Sequence, residues 1–194
     1  MASDDLKSEL DACRRCELWK RATQAVAGEG PRKAKLMLVG EQPGDQEDRA
    51  GRPFVGSAGQ LLRRAMVDAG LDADAVYITN AVKHFKFVKR GKKRIHDKAN
   101  AAQIRACRYW LEMEIRDERP ELIVALGATA ATSLVGPSVR VMRDRGTSFA
   151  SPFGPPVFVT VHPSSILRSV DDAARKRAYA ALVKDLRRAA ALLQ

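Results

Sequence analysis

Short, unbroken apolar runs alternate along this chain with amphipathic stretches. LMLV closes a run over 35–39, AVYIT covers 75–79, ELIVAL covers 121–126 and VFVTV covers 157–161. Runs of this length, apolar at odd and even positions alike, predict strands buried on both faces. Between them SAGQLLRRAMVDAG (57–70) has helical periodicity, with Ser57 as N-cap and Gly70 as C-cap. KANAAQIRACRYWLEMEIRDE (98–118), a short segment over 128–135 and DDAARKRAYAALVKDLRRAAALL (171–193) predict three further helices. Residues 136–156, rich in Gly, Pro and Arg, read as a short β excursion. Strands alternating with helices predict an α/β chain, a three-layer αβα arrangement around a central four-stranded parallel sheet. Its 194 residues fit one domain, 1–194, with a basic loop over 84–98 inserted.

The apolar runs stop abruptly at polar segments. LMLV gives way to GEQPGDQED (40–48), and VFVTV gives way to HPSS (162–165). In open α/β sheets such strand ends form the ligand crevice. Between them lies KRGKKRIHD (89–97), with Lys86, Lys89, Arg90, Lys92, Lys93 and Arg94 close together. A carboxylate, a histidine and a cationic loop on neighbouring rims point to chemistry on a polyanion. The formal net charge of +11 agrees, and its clustering favours nucleic acid. The plainer reading is a solvated loop, and a loop mobile when free that orders on DNA satisfies both. The first residues lack the apolar segment of a secretory signal, and no run suits a membrane span, so the expected location is cytoplasmic.

In that compartment three cysteines suit a metal better than a disulfide framework. Cys13 and Cys16 form a C-x-x-C pair, Cys107 lies on the predicted helix 98–118, and His84 opens the basic loop as the candidate fourth ligand. A Cys3His set suits structural zinc, and imidazole also replaces thiolate on some iron–sulfur clusters. Composition does not separate the two, and an inert buried pair with an unrelated helix cysteine is the plain alternative. A site made of these residues would tie the N-terminus to the basic loop.

GEQPGDQED (40–48), GRPFVGSAGQLL (51–62), ITNAVKH (78–84) and HPSSILR (162–168) together resemble the motifs of the uracil-DNA glycosylase superfamily, in its iron–sulfur branch. The resemblance covers nearly the whole chain. KRIH (93–96), Gln42 and His84 are similar, more narrowly, to the UdgX type, whose members trap themselves covalently on DNA. The common members of the branch have GEAPG and a fourth cysteine, where this chain has Gln42 and His84. The resemblance implies a structural 4Fe–4S cluster on Cys13, Cys16, His84 and Cys107, with zinc second, and a monomer acting on uracil-containing DNA, preferably single-stranded. It puts Gln42, Gly44, Asp45, Phe54 and Asn80 around uracil. Alone, Phe54 reads as core packing and Asn80 as a turn residue; beside GEQPG they read as a pocket, with a ring to stack on and an amide for the uracil edge.

Breaking the glycosidic bond leaves positive charge on the sugar and negative charge on uracil. His162 is the candidate to stabilise the departing oxygen. Glu41 would favour a cationic sugar or orient the group that attacks it. Ser164, Arg168, Lys92, Lys93 and Arg94 are expected on the DNA backbone. His96 is the candidate nucleophile, its imidazole kept neutral by the cations before it. Spacing alone makes His96 a phosphate contact; the KRIH resemblance makes it the residue that captures C1′. The alternatives are a hydrolytic, multiple-turnover glycosylase, a non-catalytic nucleic-acid-binding module, and an enzyme for another base.

Overall fold

The computed structural model describes residues 4–193. The sheet is built from β1 (Leu36–Gly40), β2 (Val76–Asn80), β5 (Leu122–Leu126), β6 (Ser148–Phe149) and β7 (Val157–Thr160), in the order β2-β1-β5-β7-β6. The first three and β7 are parallel, in the register Leu36↔Val76, Leu36↔Leu122 and Ile123↔Val157. The expected sheet had four strands. The structure adds a fifth, because Ser148 and Phe149 pair antiparallel with Phe158 and Val157 along the open edge. Two residues with one half-buried side chain leave little apolar periodicity to read. The rest of the expected β excursion holds a short helix, α6 (Val141–Asp144).

Alternate residues of each strand face opposite layers, as the pleat requires. Leu36, Leu38, Val76, Ile78, Val124 and Phe158 pack against α3 (Ser57–Asp68) and α8 (Asp172–Ala191). Met37, Val39, Tyr77, Ile123, Ala125 and Val159 pack against α4 (Ala101–Glu118) and α5 (Ala128–Leu134). Leu38 lies mid-sheet without exposure, so Leu38→Ala costs about 2–5 kcal/mol. The N-cap of α3 is Gly56, with Ser57 as the first helical residue, and Gly70 follows the helix in a left-handed conformation. A third apolar cluster joins α1 (Asp4–Asp11) and the following segment to α4 through Leu10, Cys13, Leu18, Val82, Cys107 and Trp110.

The inserted segment is a hairpin rather than an irregular loop. β3 (Phe87–Arg90) and β4 (Lys93–His96) pair antiparallel, with Phe87 opposite His96 and Arg90 opposite Lys93. Gly91, at φ 59°, takes the first turn position, which demands positive φ in a type II′ turn. The chain order reverses between β1 and β5, and the crevice opens there, past the carboxyl ends of β1, β2 and β7. Two short helices border it: α2 (Asp45–Ala50) and α7 (Pro163–Leu167). No described helix is long and apolar enough to cross a membrane.

Candidate active site and candidate metal centre

A cavity of about 550 Å³ occupies the crevice. Its walls include Glu41, Gln42, Gly44, Phe54, Asn80, His96, His162, Ser164 and Arg168, residues that lie far apart in the sequence. Glu41 and Gln42 leave β1, Asn80 ends β2, His162 caps α7 after β7, and His96 ends β4. Phe54 holds a left-handed backbone, φ 54°, unusual for an aromatic residue. Its ring centroid is 6.0 Å from that of His162. Gly40 makes room for both side chains: a Cβ there would come within 2.5 Å of the Phe54 ring and of Asn80 Oδ1.

His162 is neutral at pH 7. Burial, and then the nearby charges of Arg168 and His96, push its imidazolium down to about 4. Its Nδ1 accepts the main-chain N–H of Ser164 at 3.2 Å and lies 2.8 Å from Ser164 Oγ. A ring accepting at Nδ1 carries its proton on Nε2 and presents a donor there. Ser164 therefore fixes the His162 tautomer, a part separate from the expected phosphate contact.

His96 Nε2 lies 3.9 Å from Glu41 Oε1, with the side chains 48% and 24% exposed. That same Glu41 oxygen is buried and has no hydrogen-bond partner among the described residues. A carboxylate oxygen sealed from water without a donor is costly, and it is relieved by a donor or a positive centre arriving beside it.

Three expected site residues have other work. Gln42 Nε2 donates to the carbonyls of Lys86 and Asp97 at 3.1 and 3.0 Å, so its amide clamps the root of the hairpin. Asp45 lies outside the cavity lining, its carboxylate held by Arg94 and Arg49. Arg94 is 13% exposed, pairs with Asp45 and with Asp48 at 2.6 Å, and covers the rings of Phe85 and Phe87. Its guanidinium is engaged within the protein by two carboxylates of α2. Lys92 and Lys93 stand exposed at the hairpin tip.

Glu47, Ala58 and Lys98 also line the cavity and were missed. Glu47 receives the N–H groups of Gly44 at 3.1 Å and Gly56 at 2.8 Å, joining both glycine-rich segments. Its spacing three residues after Gly44, that of a capping box, was the available signal.

Cys13, Cys16 and Cys107 are free thiols brought into one apolar cluster. Trp110 Nε1 donates to Cys13 Sγ at 3.1 Å, and the Lys83 main-chain N–H donates to Cys107 Sγ at 3.1 Å. Burial pushes the Cys107 thiol up to about 12, so a thiolate there needs a cation beside it. Burial also holds His84 below the usual imidazole value, which favours the neutral form that binds metals. Among the described residues no three His, Cys, Asp or Glu side chains are grouped as a metal ion would hold them. Soft thiols are the donors an iron–sulfur cluster takes, and two of these three are buried and receive an N–H, while Cys16 is half-buried.

Residues 27–187 match the Uracil DNA glycosylase superfamily. A type-4 uracil-DNA glycosylase of Sulfurisphaera tokodaii is 37% identical over 172 residues, covering 84% of this chain and 75% of the relative. One from Thermotoga maritima is 36% identical, covering 88% and 86%. A type-5 uracil-DNA glycosylase of Pyrobaculum aerophilum is 29% identical, covering 82% and 74%. By its motifs, its sheet and this match over most of its length, the chain belongs to the uracil DNA glycosylase superfamily.

Proposed function

We propose that this protein excises uracil from DNA, preferably single-stranded, as a base-excision repair glycosylase of the UdgX type, and becomes linked to the deoxyribose through His96. The observation that carries the reading is the 3.9 Å approach of His96 Nε2 to the unpartnered Glu41 oxygen at the mouth of a cavity walled by Phe54, Asn80 and His162. The type-4 relatives support the uracil-DNA glycosylase activity itself.

The extruded base enters the cavity, stacks on Phe54 and is read along its edge by the Asn80 carboxamide. The bond from C1′ to the base breaks, and its electron pair leaves with uracil. The Nε2–H of neutral His162 donates to the uracil oxygen that gains the charge. Glu41 stabilises the positive sugar. The His96 lone pair then bonds to C1′, and the imidazolium so formed loses its remaining ring proton to solvent. Water in that position would give a free enzyme; a nitrogen–carbon bond offers no comparable leaving path, so the reaction ends after one turnover. Lys92 and Lys93 approach the phosphates from the hairpin tip, and Ser164 and Arg168 from the other rim. Cys13, Cys16, His84 and Cys107 would hold a 4Fe–4S cluster, which supplies a structural tie and takes no part in bond breaking. The protein acts as a monomeric single domain.

A denaturing gel tests the linkage. Protein mixed with a uracil-containing single-stranded oligonucleotide should give a shifted band that survives SDS and heat. His96→Ala should abolish that band and release uracil over repeated turnovers. Free uracil without a band from the unaltered protein would make it a hydrolytic glycosylase instead, and a band retained by His96→Ala would assign the bond to another residue.

A further inference from the structure

Behind the cavity wall lies an ion pair that no step above uses. The side chains of Lys83 and Glu114 are both 0% exposed, with Nζ 2.6 Å from Glu114 Oε2. Lys83 Nζ also donates to Thr79 Oγ1 at 2.6 Å and to the main-chain carbonyl of Asn80 at 2.8 Å, so its three N–H donors meet three acceptors. Glu114 Oε2 accepts the Thr79 hydroxyl at 2.7 Å, and Oε1 accepts the main-chain N–H of Gly28 at 2.8 Å.

Stability alone is a weak reason for this arrangement. A buried ion pair must overcome the desolvation of both charges, and apolar residues of similar volume often serve as well or better. What such residues cannot do is hold a carbonyl. The carbonyl held is that of Asn80, the last residue of β2, where the chain turns from the sheet toward the hairpin. Gly40, packed against the Asn80 carboxamide, and the Ala81 N–H, bonded to Gly40 O at 3.0 Å, fix the same corner from the side of β1. The pair fixes it from the rear. The grip on residues 79–83 comes from α4 at two points about two turns apart: Glu114, and Cys107 Sγ receiving the Lys83 N–H at 3.1 Å.

We infer that Lys83 and Glu114 are positioning residues for uracil recognition, setting the Asn80 carboxamide by holding its main-chain carbonyl. The inference rests on the glycosylase reading and adds to it two residues that never touch substrate. Sub-ångström placement matters because a misplacement near 1 Å lowers rates about a hundredfold.

The test is a mutant cycle read by single-turnover uracil release from a uracil-containing single-stranded oligonucleotide. Lys83→Met with Glu114→Leu replaces the pair by apolar side chains and leaves no charge stranded. It should slow release at saturating DNA by about tenfold or more. The half-saturating DNA concentration should stay put, since the hairpin cations are untouched. In an Asn80→Ala background the same double change should slow release no further. Release at the unaltered rate, or an equal slowing in both backgrounds, would overturn the inference. If the double variant does not fold, Thr79→Val keeps both charges and removes only the bridging hydroxyl. It should slow release in the Asn80 background and not in the Asn80→Ala one; the opposite pattern refutes the inference equally. An unaltered protein that releases no uracil ends the glycosylase reading. One that releases uracil while all variants keep pace ends only this inference.

Discussion

At the scale of the residue, the chemistry rests on protonation states set by neighbours. His162 is the clearest case, because a donor to a departing uracil oxygen is most useful when neutral, aimed and already dry. Its imidazolium sits at about 4 in the folded protein, below the 6.5 of an unburied histidine. The unfolded chain therefore binds more protons between those values. The stability from keeping the ring neutral is whole above pH 6.5 and is lost as pH falls through about 4. Comparing urea midpoints of the unaltered protein and His162→Gln from pH 7 down to 4 isolates this contribution from that of the carboxylates. The unaltered protein should lose stability more steeply, and parallel curves would contradict the assignment. At neutral pH, His162→Gln should slow uracil release by about 10²–10³. The tautomer was not legible from the sequence. HPSS names the residues, but only the folded turn brings the Ser164 N–H to Nδ1 at 3.2 Å.

At the scale of the element, the hairpin and its fastenings explain why several site residues are what they are. Gln42 bonds the carbonyls at both ends of the hairpin, and Arg94 ties β4 to Asp45 and Asp48 of α2. At the tip Lys92 and Lys93 stand exposed. Removing Lys92 and Lys93 together should weaken DNA binding and lower the salt slope by roughly 0.7 per lost phosphate contact, or about 1.4, with the single-turnover rate at saturating DNA unchanged. Titrations at several salt concentrations check this; an unaltered slope would move the DNA to another face. The buried strands and long helices were legible because their periodicity is strong, with ends displaced by a residue or a few. The hairpin was not, because charges dilute its alternation. Phe87, Val88 and Ile95 are its apolar residues, and Gly91 was read as loop composition rather than as a turn. The partners of Arg94 were hidden for a related reason. In sequence it is one cation among six, and only the fold reveals the two carboxylates of α2 that claim it.

At the scale of the whole molecule, the segment 13–33 works as a strap across the parts that form the site. The Thr23 hydroxyl and N–H reach Asp48, the Val26 N–H reaches the Lys83 carbonyl, and Glu29 exchanges N–H and carbonyl bonds with Ile78. Gly28 and Lys33 donate to Glu114 and Glu118 of α4. One end of the strap carries Cys13 and Cys16, packed beside Cys107. A cluster joining these thiols would therefore fasten the strap to α4 and, through Lys83, steady the corner where β2 meets the cavity. The sheet does not depend on that fastening, since Leu38, Ile123 and Val159 are packed by helices on either face. Cys107→Ser should accordingly lose protection in a graded pattern. Hydrogen exchange should quicken over residues 16–30 and 81–84, while β5 and β7 exchange as before. A ligand that binds only the native state stabilises in proportion to its affinity, so the variant should also melt several degrees lower. Faster exchange spread evenly over the sheet would mean that the thiols serve the core as a whole. Unchanged exchange in the strap would mean that its hydrogen bonds, rather than any metal, hold it in place.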